Sequence, residues 1–257
     1  MIKKAIVRKP TKNMTFGITS SPELGKPNFM LASHQHQLYI KALRKCLVEV
    51  IILDPLDCYP DSCFVEDVAI ETGQGCVVIT NPGVTSRNGE KEEIIPVIKS
   101  HMSNQTIEFI TSPGTLEGGD VLKVGDHFFV EHSNRTNQEG IKQFFSILHK
   151  SGLSGSVVDV NDSLHLKTNI SWLGNDTLLL SNDLSKEPEF KNFKKMIVPD
   201  NEAYAANCIS VNGKIIVPSG YQEVEKRLLD EGFEIISVDI SEFKKLDGGI
   251  SCLSIRF

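Results

Sequence analysis

The sequence predicts a closed α/β arrangement with rough radial symmetry, assembled from about five copies of one supersecondary unit. Three observations carry this reading. Hairpin-like pairs of apolar runs are centred near residues 70, 125, 173 and 212. Each pair is followed by a polar helical stretch and one returning run, a recurrence of roughly 40 to 50 residues. The last unit ends on a single strand, and the unpaired "KAIVR" near the N-terminus can supply the second and close the ring. Neither GxGxxG nor GxxxxGK[ST] occurs, which disfavours a dinucleotide-binding fold. With no low-complexity linker, residues 1–257 read as one domain.

Element by element, residues 4–8 are a β-branched strand that ends where Pro10 restricts its predecessor. Residues 34–47 place Leu38, Ala42, Leu43 and Cys46 at helical spacing, and 48–53 read as a strand before the turn-rich stretch 54–62. Residues 63–71 and 75–80 read as strands separated by Gly73 and Gly75. A helix follows over 91–102, although Pro96 should break or kink it unless it lies in the first turn. Next come a strand at 106–110, a hairpin over 119–130, a helix at 137–150 and a strand at 155–160. Residues 164–181 form a hairpin turning at Gly174 and Asn175, with a short helix near 187–194 and a strand at 194–199. Asn212 and Gly213 are the strongest hairpin signal in the chain. A helix at 221–233, a strand at 234–240 and a terminal strand at 250–257 complete the order.

A chain of 257 residues can bury a core without disulfides or a structural metal. Cys46, Cys58, Cys63, Cys76, Cys208 and Cys252 match no zinc or redox spacing, and each taken alone reads as a small buried hydrophobe. With 33 acidic against 27 basic residues the formal charge is -6, which argues against nucleic acid or anionic lipid as the main partner and leaves small molecules open. No apolar run is long enough to cross a bilayer, and "MIKKAIVRKP" lacks the apolar stretch of a secretory signal, so the expected location is cytoplasmic.

Four polar clusters interrupt the apolar runs. "DSCFVEDVAI" carries Asp61, Glu66 and Asp67. On a strand Glu66 and Asp67 would point in opposite directions, one of them into the ring interior, where a carboxylate needs a cationic or hydrogen-bonded partner. "GTLEGGDVL" sets Glu117 and Asp120 at a strand entrance beside Gly118 and Gly119, which permit close backbone approach or a simple bulge. His165 alternates with Leu164 and Leu166 on a presumptive strand, a pattern that also suits a structural histidine. Cys252 lies in "LDGGISCLSIRF", where Gly248 and Gly249 leave room beside the strand; in isolation it is a core thiol.

In combination these residues carry chemistry. A thiol attacks as thiolate, an imidazole takes and returns its proton, and a carboxylate orients the imidazole, roles open to Cys252, His165 and Glu117. Asp61 and Asp67 suit a positively charged electrophile. Arg87 and Arg135, each after a strand and before a helix, are either surface arginines or a clamp for a substrate carboxylate. Charge matching therefore points to a guanidino amino acid.

Through "FVEDVAI", "SRNGE", "LEGGDVL", "RTNQEG", "LHLKT" and "DGGISCLS", in this order and over nearly the whole chain, the sequence resembles the dimethylarginine dimethylaminohydrolase family of the guanidino-modifying superfamily. The resemblance implies a five-bladed α/β propeller and hydrolysis of N-omega-methylated arginine, foremost asymmetric dimethylarginine, to citrulline and a methylated amine, with no metal or organic cofactor. It implies that Cys252 is the nucleophile, His165 the general acid and base, and Glu117 the holder of its ring. Asp67 would bind the guanidinium, with Asp61 and Glu66 shaping the site. Arg87 and Arg135 would contact the α-carboxylate, Ile18 and Leu246 would line the amino-acid end partly through backbone carbonyls, and Asp247 would stand behind them. Arginine deiminases read His-x-Asp where this chain has His165, Leu166 and Lys167, so a carboxylate for an unsubstituted guanidinium nitrogen is lost, as in the dimethylargininase form. Arginine deiminase, another small-guanidine hydrolase, an amidinotransferase and a non-catalytic arginine-binding protein are the alternatives.

Overall fold

Five three-stranded sheets share one topology in the computed structural model, which describes residues 1–159 and 165–257. The chain runs through β1 (Lys4–Arg8), α1 (Phe29–Lys45), β2 (Glu49–Leu53), β3 (Ala69–Glu71), β4 (Cys76–Ile79), α2 (Glu90–His101) and β5 (Thr106–Phe109). It continues with β6 (Val121–Val124), β7 (His127–Glu131), α3 (Gln138–Lys150), β8 (Ser154–Val158), β9 (Ile170–Gly174), β10 (Thr177–Leu180) and β11 (Lys194–Ile197). Last come β12 (Ile209–Val211), β13 (Lys214–Pro218), α4 (Gln222–Asp230), β14 (Glu234–Val238), α5 (Ser241–Lys244) and β15 (Ile255–Arg256).

In every sheet the middle strand runs antiparallel to one neighbour and parallel to the other, as β4 does with β3 and β5 and β7 with β6 and β8. A parallel return needs a crossover, which α1, α2, α3 and α4 supply in four sheets and short 3-10 turns in the fifth. The middle strands β4 and β10 are buried at every position, so they read as continuous apolar runs without alternation. The N-terminal strand does take the missing place: β1 pairs antiparallel with β15, Ala5 opposite Arg256, and parallel with β2.

The chain divides into two compact units. The first comprises Met1–Val65, Asn169–Lys186 and Phe193–Phe257. It holds one core around Ala5, Met14, Tyr39, Leu43, Ile250 and Phe243, and another around Leu179, Cys208, Ile215 and Leu228. The second comprises Glu66–Thr168 and Glu187–Asn192, with a core of Val78, Leu116, Phe128, Val130, Phe144 and Ile147. Here α3 is placed by its apolar face, each buried large side chain contributing about 1.5–3 kcal/mol, and by Asn137, whose Oδ1 accepts the Gly140 N–H at 2.8 Å and caps the helix. No helix among the described residues is long and apolar enough to cross a membrane.

Several sequence expectations fail at the level of local conformation. Residues 65–68 form a 3-10 turn, so Glu66 and Asp67 do not alternate on a strand; both are buried. His165 precedes a 3-10 turn at Leu166–Thr168 and lies on no strand, and its presumed strand neighbour Leu164 falls outside the described residues. Cys252 sits in the 3-10 turn Ser251–Leu253, with the terminal strand reduced to β15. Around Glu66, Asp67 and Cys252 the flanking apolar residues are buried on both sides, which removes the face signal that separates strands from irregular chain. Pro96 lies mid-helix, and α2 continues through it because Ile94 and Ile98, fully buried, hold both flanks to the core. The second-unit stretch expected as a short helix near 187–194 is a 3-10 turn at Pro188–Phe190. The β9–β10 turn is centred on Asn175 and Asp176, both with positive φ, one residue later than expected. Cys58 is exposed in the turn after β2, not a core thiol.

Candidate active site

In the second unit the polar residues of three motifs meet around Glu117. This carboxylate is fully buried, which a charge tolerates only with partners. Its Oε1 accepts the Gly83 N–H at 3.1 Å, and its Oε2 lies 2.9 Å from His165 Nε2 and 3.5 Å from Arg135 Nη1. The Glu117 backbone is held as well. Its N–H donates to Thr136 Oγ1 at 3.1 Å, and that hydroxyl donates onward to Asp120 Oδ2 at 2.6 Å.

The two glycines after Glu117 are there for close approach. A Cβ on Gly118 would lie 2.0 Å from the Glu66 carbonyl oxygen. One on Gly119 would lie 2.7 Å from His165 Nδ1 and 3.0 Å from Asp67 Oδ1. Freed of side chains, the turn brings the Gly119 N–H to Asp67 Oδ1 at 3.0 Å and lets the imidazole lie against its backbone. The bulge that the "EGGD" pattern also allowed is therefore a contact surface for the histidine and the aspartate.

Asp67 and Arg87 form a buried ion pair of 2.6 Å, and Arg87 also grips Glu90 through Nε and Nη2 at 3.0 and 2.8 Å. Burial pushes the Asp67 carboxyl up, but Arg87, His165 and Lys167 together hold it below its ordinary value. Arg87 is thus no surface arginine, and it remains protonated because Glu90 and Asp67 outweigh its desolvation. Lys167 pairs with Glu66 at 2.7 Å. Burial lowers the basicity of His165, while the Glu117 hydrogen bond and the charges of Asp120, Asp67 and Glu117 raise it further, to about 9. The imidazole is consequently charged at neutral pH and can donate a proton. Behind it Asp120 and Glu131 are buried, and desolvation raises both, Glu131 to about 8. Asp67, Glu117 and His165 bring one ligand atom each within 4.8 Å of one another, a spacing that could hold a cation. Arg87 and Arg135 already place positive charge on the two carboxylates.

The remaining candidates gather in the first unit. Asp61 accepts the Ile18 N–H at 3.1 and 3.2 Å through its two oxygens, and Gly17 approaches both Asp61 and Leu246. Asp247, held at positive φ, takes the Ser20 hydroxyl at 3.0 Å. Asp61, Ile18, Leu246 and Asp247 thus anchor one stretch of chain, residues 17–20. Cys252 follows directly. Its Sγ accepts the Gly249 N–H at 3.4 Å, and Gly248 is packed against the Phe64 ring, where a Cβ would lie 2.1 Å from the ring. Tyr204 donates its hydroxyl to the Gly248 carbonyl at 2.6 Å, and Asn207 binds Ser251. Cys208, by contrast, is in the core, its thiol pushed up to about 12 by burial.

The sequence reading missed Thr136, Asn207 and Tyr204. Thr136 follows Arg135 inside a quoted motif and could have been found there; Asn207 and Tyr204 lie in a stretch with no periodic or motif signal. The second unit offers a charged imidazole on a buried carboxylate with a second carboxylate beside it, and the first unit offers a thiol that accepts a backbone N–H.

Comparison with known proteins follows the same lines. A family model described as N,N dimethylarginine dimethylhydrolase, eukaryotic, matches residues 25–255. The N(G),N(G)-dimethylarginine dimethylaminohydrolase of Pseudomonas aeruginosa is 44% identical over the full length of both chains, and that of Streptomyces coelicolor 33% over 99% of this chain and 96% of its own. A cysteine-to-serine variant of the Pseudomonas aeruginosa enzyme, solved in complex with citrulline, superposes with a TM-score of 0.97 over 100% of both chains. A histidine-to-glycine dimethylarginine dimethylaminohydrolase, solved as an adduct with S-methyl-L-thiocitrulline, has the same score, 44% identity and the same full coverage.

Proposed function

The chain belongs to the dimethylarginine dimethylaminohydrolase family, and from that membership we infer that it converts N-omega-methylated arginine, foremost asymmetric dimethylarginine, and water to citrulline and the methylated amine. The observation that carries the reading is the buried His165–Glu117 pair at 2.9 Å, packed against Gly119 beside Asp67.

Cys252 as thiolate attacks the central guanidinium carbon, forming a C–S bond. Asp67 stabilises the delocalised positive charge. His165 Nε2 is committed to Glu117, so Nδ1 gives its proton to the departing dimethylamine as the C–N bond breaks. The neutral imidazole then takes a proton from water, whose oxygen attacks the thiouronium carbon. Collapse expels the thiolate, the hydroxyl proton passes to solvent, where the released amine takes it up, and the ureido group of citrulline is left. Arg135 and Arg87 hold the α-carboxylate, Arg87 while also paired with Asp67. Ile18, Asp61, Leu246 and Asp247 shape the amino-acid end, and Glu66, neutralised by Lys167, shapes the guanidinium end.

In the same reading the five sheets are blades of one propeller, residues 1–257 act as a single catalytic domain, and the enzyme works in the cytoplasm without metal or organic cofactor. The place of β1 between β15 and β2 and the full-length match to the Pseudomonas aeruginosa enzyme support the first two.

The test is a competition assay offering arginine, monomethylarginine, asymmetric dimethylarginine and simple guanidino acids, with citrulline and amines resolved by mass spectrometry. Citrulline with dimethylamine or methylamine, at higher efficiency than from arginine, is expected. Ammonia from arginine with no methylated amine from either methylated substrate would refute the substrate assignment.

A further inference from the structure

We propose that Asn207 is a positioning residue for the nucleophile: its carboxamide fixes the turn Gly248–Cys252 so that the Gly249 N–H is aimed at Cys252 Sγ. The inference rests on Cys252 being the attacking group.

Asn207 is buried at the end of the 3-10 segment Asp200–Ala206, just before β12. Both ends of its amide engage the residue preceding the cysteine. Oδ1 accepts the Ser251 N–H at 2.9 Å, and Nδ2 donates to Ser251 Oγ at 3.1 Å. The flat amide also lies against Gly249, where a Cβ would meet its Cγ and Oδ1 at 2.4 Å. The carboxamide is thus seated against Gly249 and bonded to Ser251, the two residues that bracket the turn in which the Gly249 N–H meets Sγ at 3.4 Å. Tyr204, from the same segment, holds the Gly248 carbonyl. Arg256 Nη1 ties the far end, donating to the Ser251 carbonyl at 3.0 Å and to Ser254 Oγ at 2.8 Å.

A donor aimed at sulfur favours thiolate over thiol, because the anion is the better acceptor, and it does so in proportion to how firmly it is held. The choice of asparagine follows. A carboxylate at 207 would accept the Ser251 N–H equally well but would put a negative charge beside the thiolate and lose the donor to Ser251 Oγ. Other titratable groups near this turn in the first unit are Tyr204, Tyr221, Asp239, Asp247, Lys244 and Arg256.

The test follows alkylation of Cys252 by iodoacetamide against pH in the full chain, read by peptide mass spectrometry, together with steady-state kinetics. Asn207→Ala is expected to move the alkylation midpoint up by about one pH unit, so that thiolate and kcat at pH 7 fall roughly tenfold relative to wild type, with that ratio rising toward one as pH rises and KM within about twofold. Ser251→Ala, which keeps the Oδ1 bond and removes only the partner of Nδ2, should stay near the wild-type midpoint. Should Asn207→Ala fail to fold, the near-isosteric and uncharged Asn207→Leu, which removes both bonds to Ser251 without adding charge, carries the test, with an upward shift of similar size. An unshifted midpoint in a folded Asn207 variant overturns the inference while Cys252→Ser remains inactive. Turnover by Cys252→Ser would instead overturn the nucleophile assignment.

Discussion

Replacing Glu117 by glutamine keeps the size and one hydrogen bond of the side chain and removes its charge from His165. The structure sets the scale of the effect. His165 is raised to about 9 from an ordinary 6.5, a gap on the order of 3 kcal/mol. Burial opposes that gap; the Glu117 hydrogen bond is the largest contribution in its favour, with Asp120 and Asp67 adding charge. Without Glu117, burial prevails, the histidine falls toward or below its ordinary value, and the imidazole is mostly neutral at pH 7.5. The proton for the leaving amine is then missing, and the chemical step should slow by about 10²- to 10⁴-fold. Stability follows the same group. A histidine raised in the folded state contributes stability that is fully present below pH 6.5 and is lost as pH rises through about 9. The difference in unfolding free energy between wild type and Glu117→Gln should therefore be largest near pH 6 and shrink toward pH 9.5. Single-turnover amine release across pH, paired with urea unfolding at those two values, checks both. An alkaline limb still near 9 in the variant, or a stability difference equal at the two pH values, would refute the assignment of His165 basicity to Glu117.

Cys252→Ser should abolish turnover with substrate still bound, measured by equilibrium binding, while Cys208→Ser, in the core, should change melting temperature more than rate. Gly119→Ala would drive a Cβ to 2.7 Å from His165 Nδ1, so kcat should fall at least tenfold with the fold intact by circular dichroism. Arg87→Ala strands two buried carboxylates, Asp67 and Glu90, and should cost about 3–5 kcal/mol in denaturant unfolding. Arg135, at 3.5 Å from Glu117 and partly exposed, should cost less on truncation and weaken amino-acid substrates more than analogues lacking the carboxylate. Equal losses on both ligand sets would assign it to the scaffold.

The repeat was legible because its signals are local: the Asn212–Gly213 turn adopts the positive φ values its residues favour, and the hairpins near 70, 125 and 173 all form. The terminal strand's partner was legible because an odd strand at each end leaves one solution. Conformation inside the motifs was not. Residues 61–70 are buried throughout, so Glu66 and Asp67 carried no face signal, and a 3-10 turn looks like a strand at that level. The glycine pairs announced close approach without saying to what. Only coordinates show that Gly118 and Gly119 face Glu66 and His165, and that Gly249 faces Asn207. Asn207 had no signal at all, since a lone asparagine before a strand reads as a turn residue.

In the proposed mechanism the charges of the second unit let one imidazole serve both halves of the reaction. Glu66, Asp67, Glu90 and Glu117 are matched one for one by Lys167, Arg87, Arg135 and the imidazolium of His165, and Asp120, bonded to Ser133 and Thr136, is the carboxylate beyond this balance. An acid titrating at about 9 is weak, yet it suffices for an alkylamine, whose basicity is comparable to the lysine value of about 10.4, and the transfer runs downhill. Once the proton has left with the amine, the cluster carries an uncompensated negative charge around a neutral imidazole. The same carboxylates that made His165 a reluctant acid then make it a strong base toward water, and the second proton transfer restores the balance. Lys167 fits this account. An acid in its place, as deiminases have, would leave Glu66 unneutralised and add a second negative charge, which suits an unsubstituted guanidinium nitrogen with protons to donate and penalises one whose hydrogens are replaced by methyl groups.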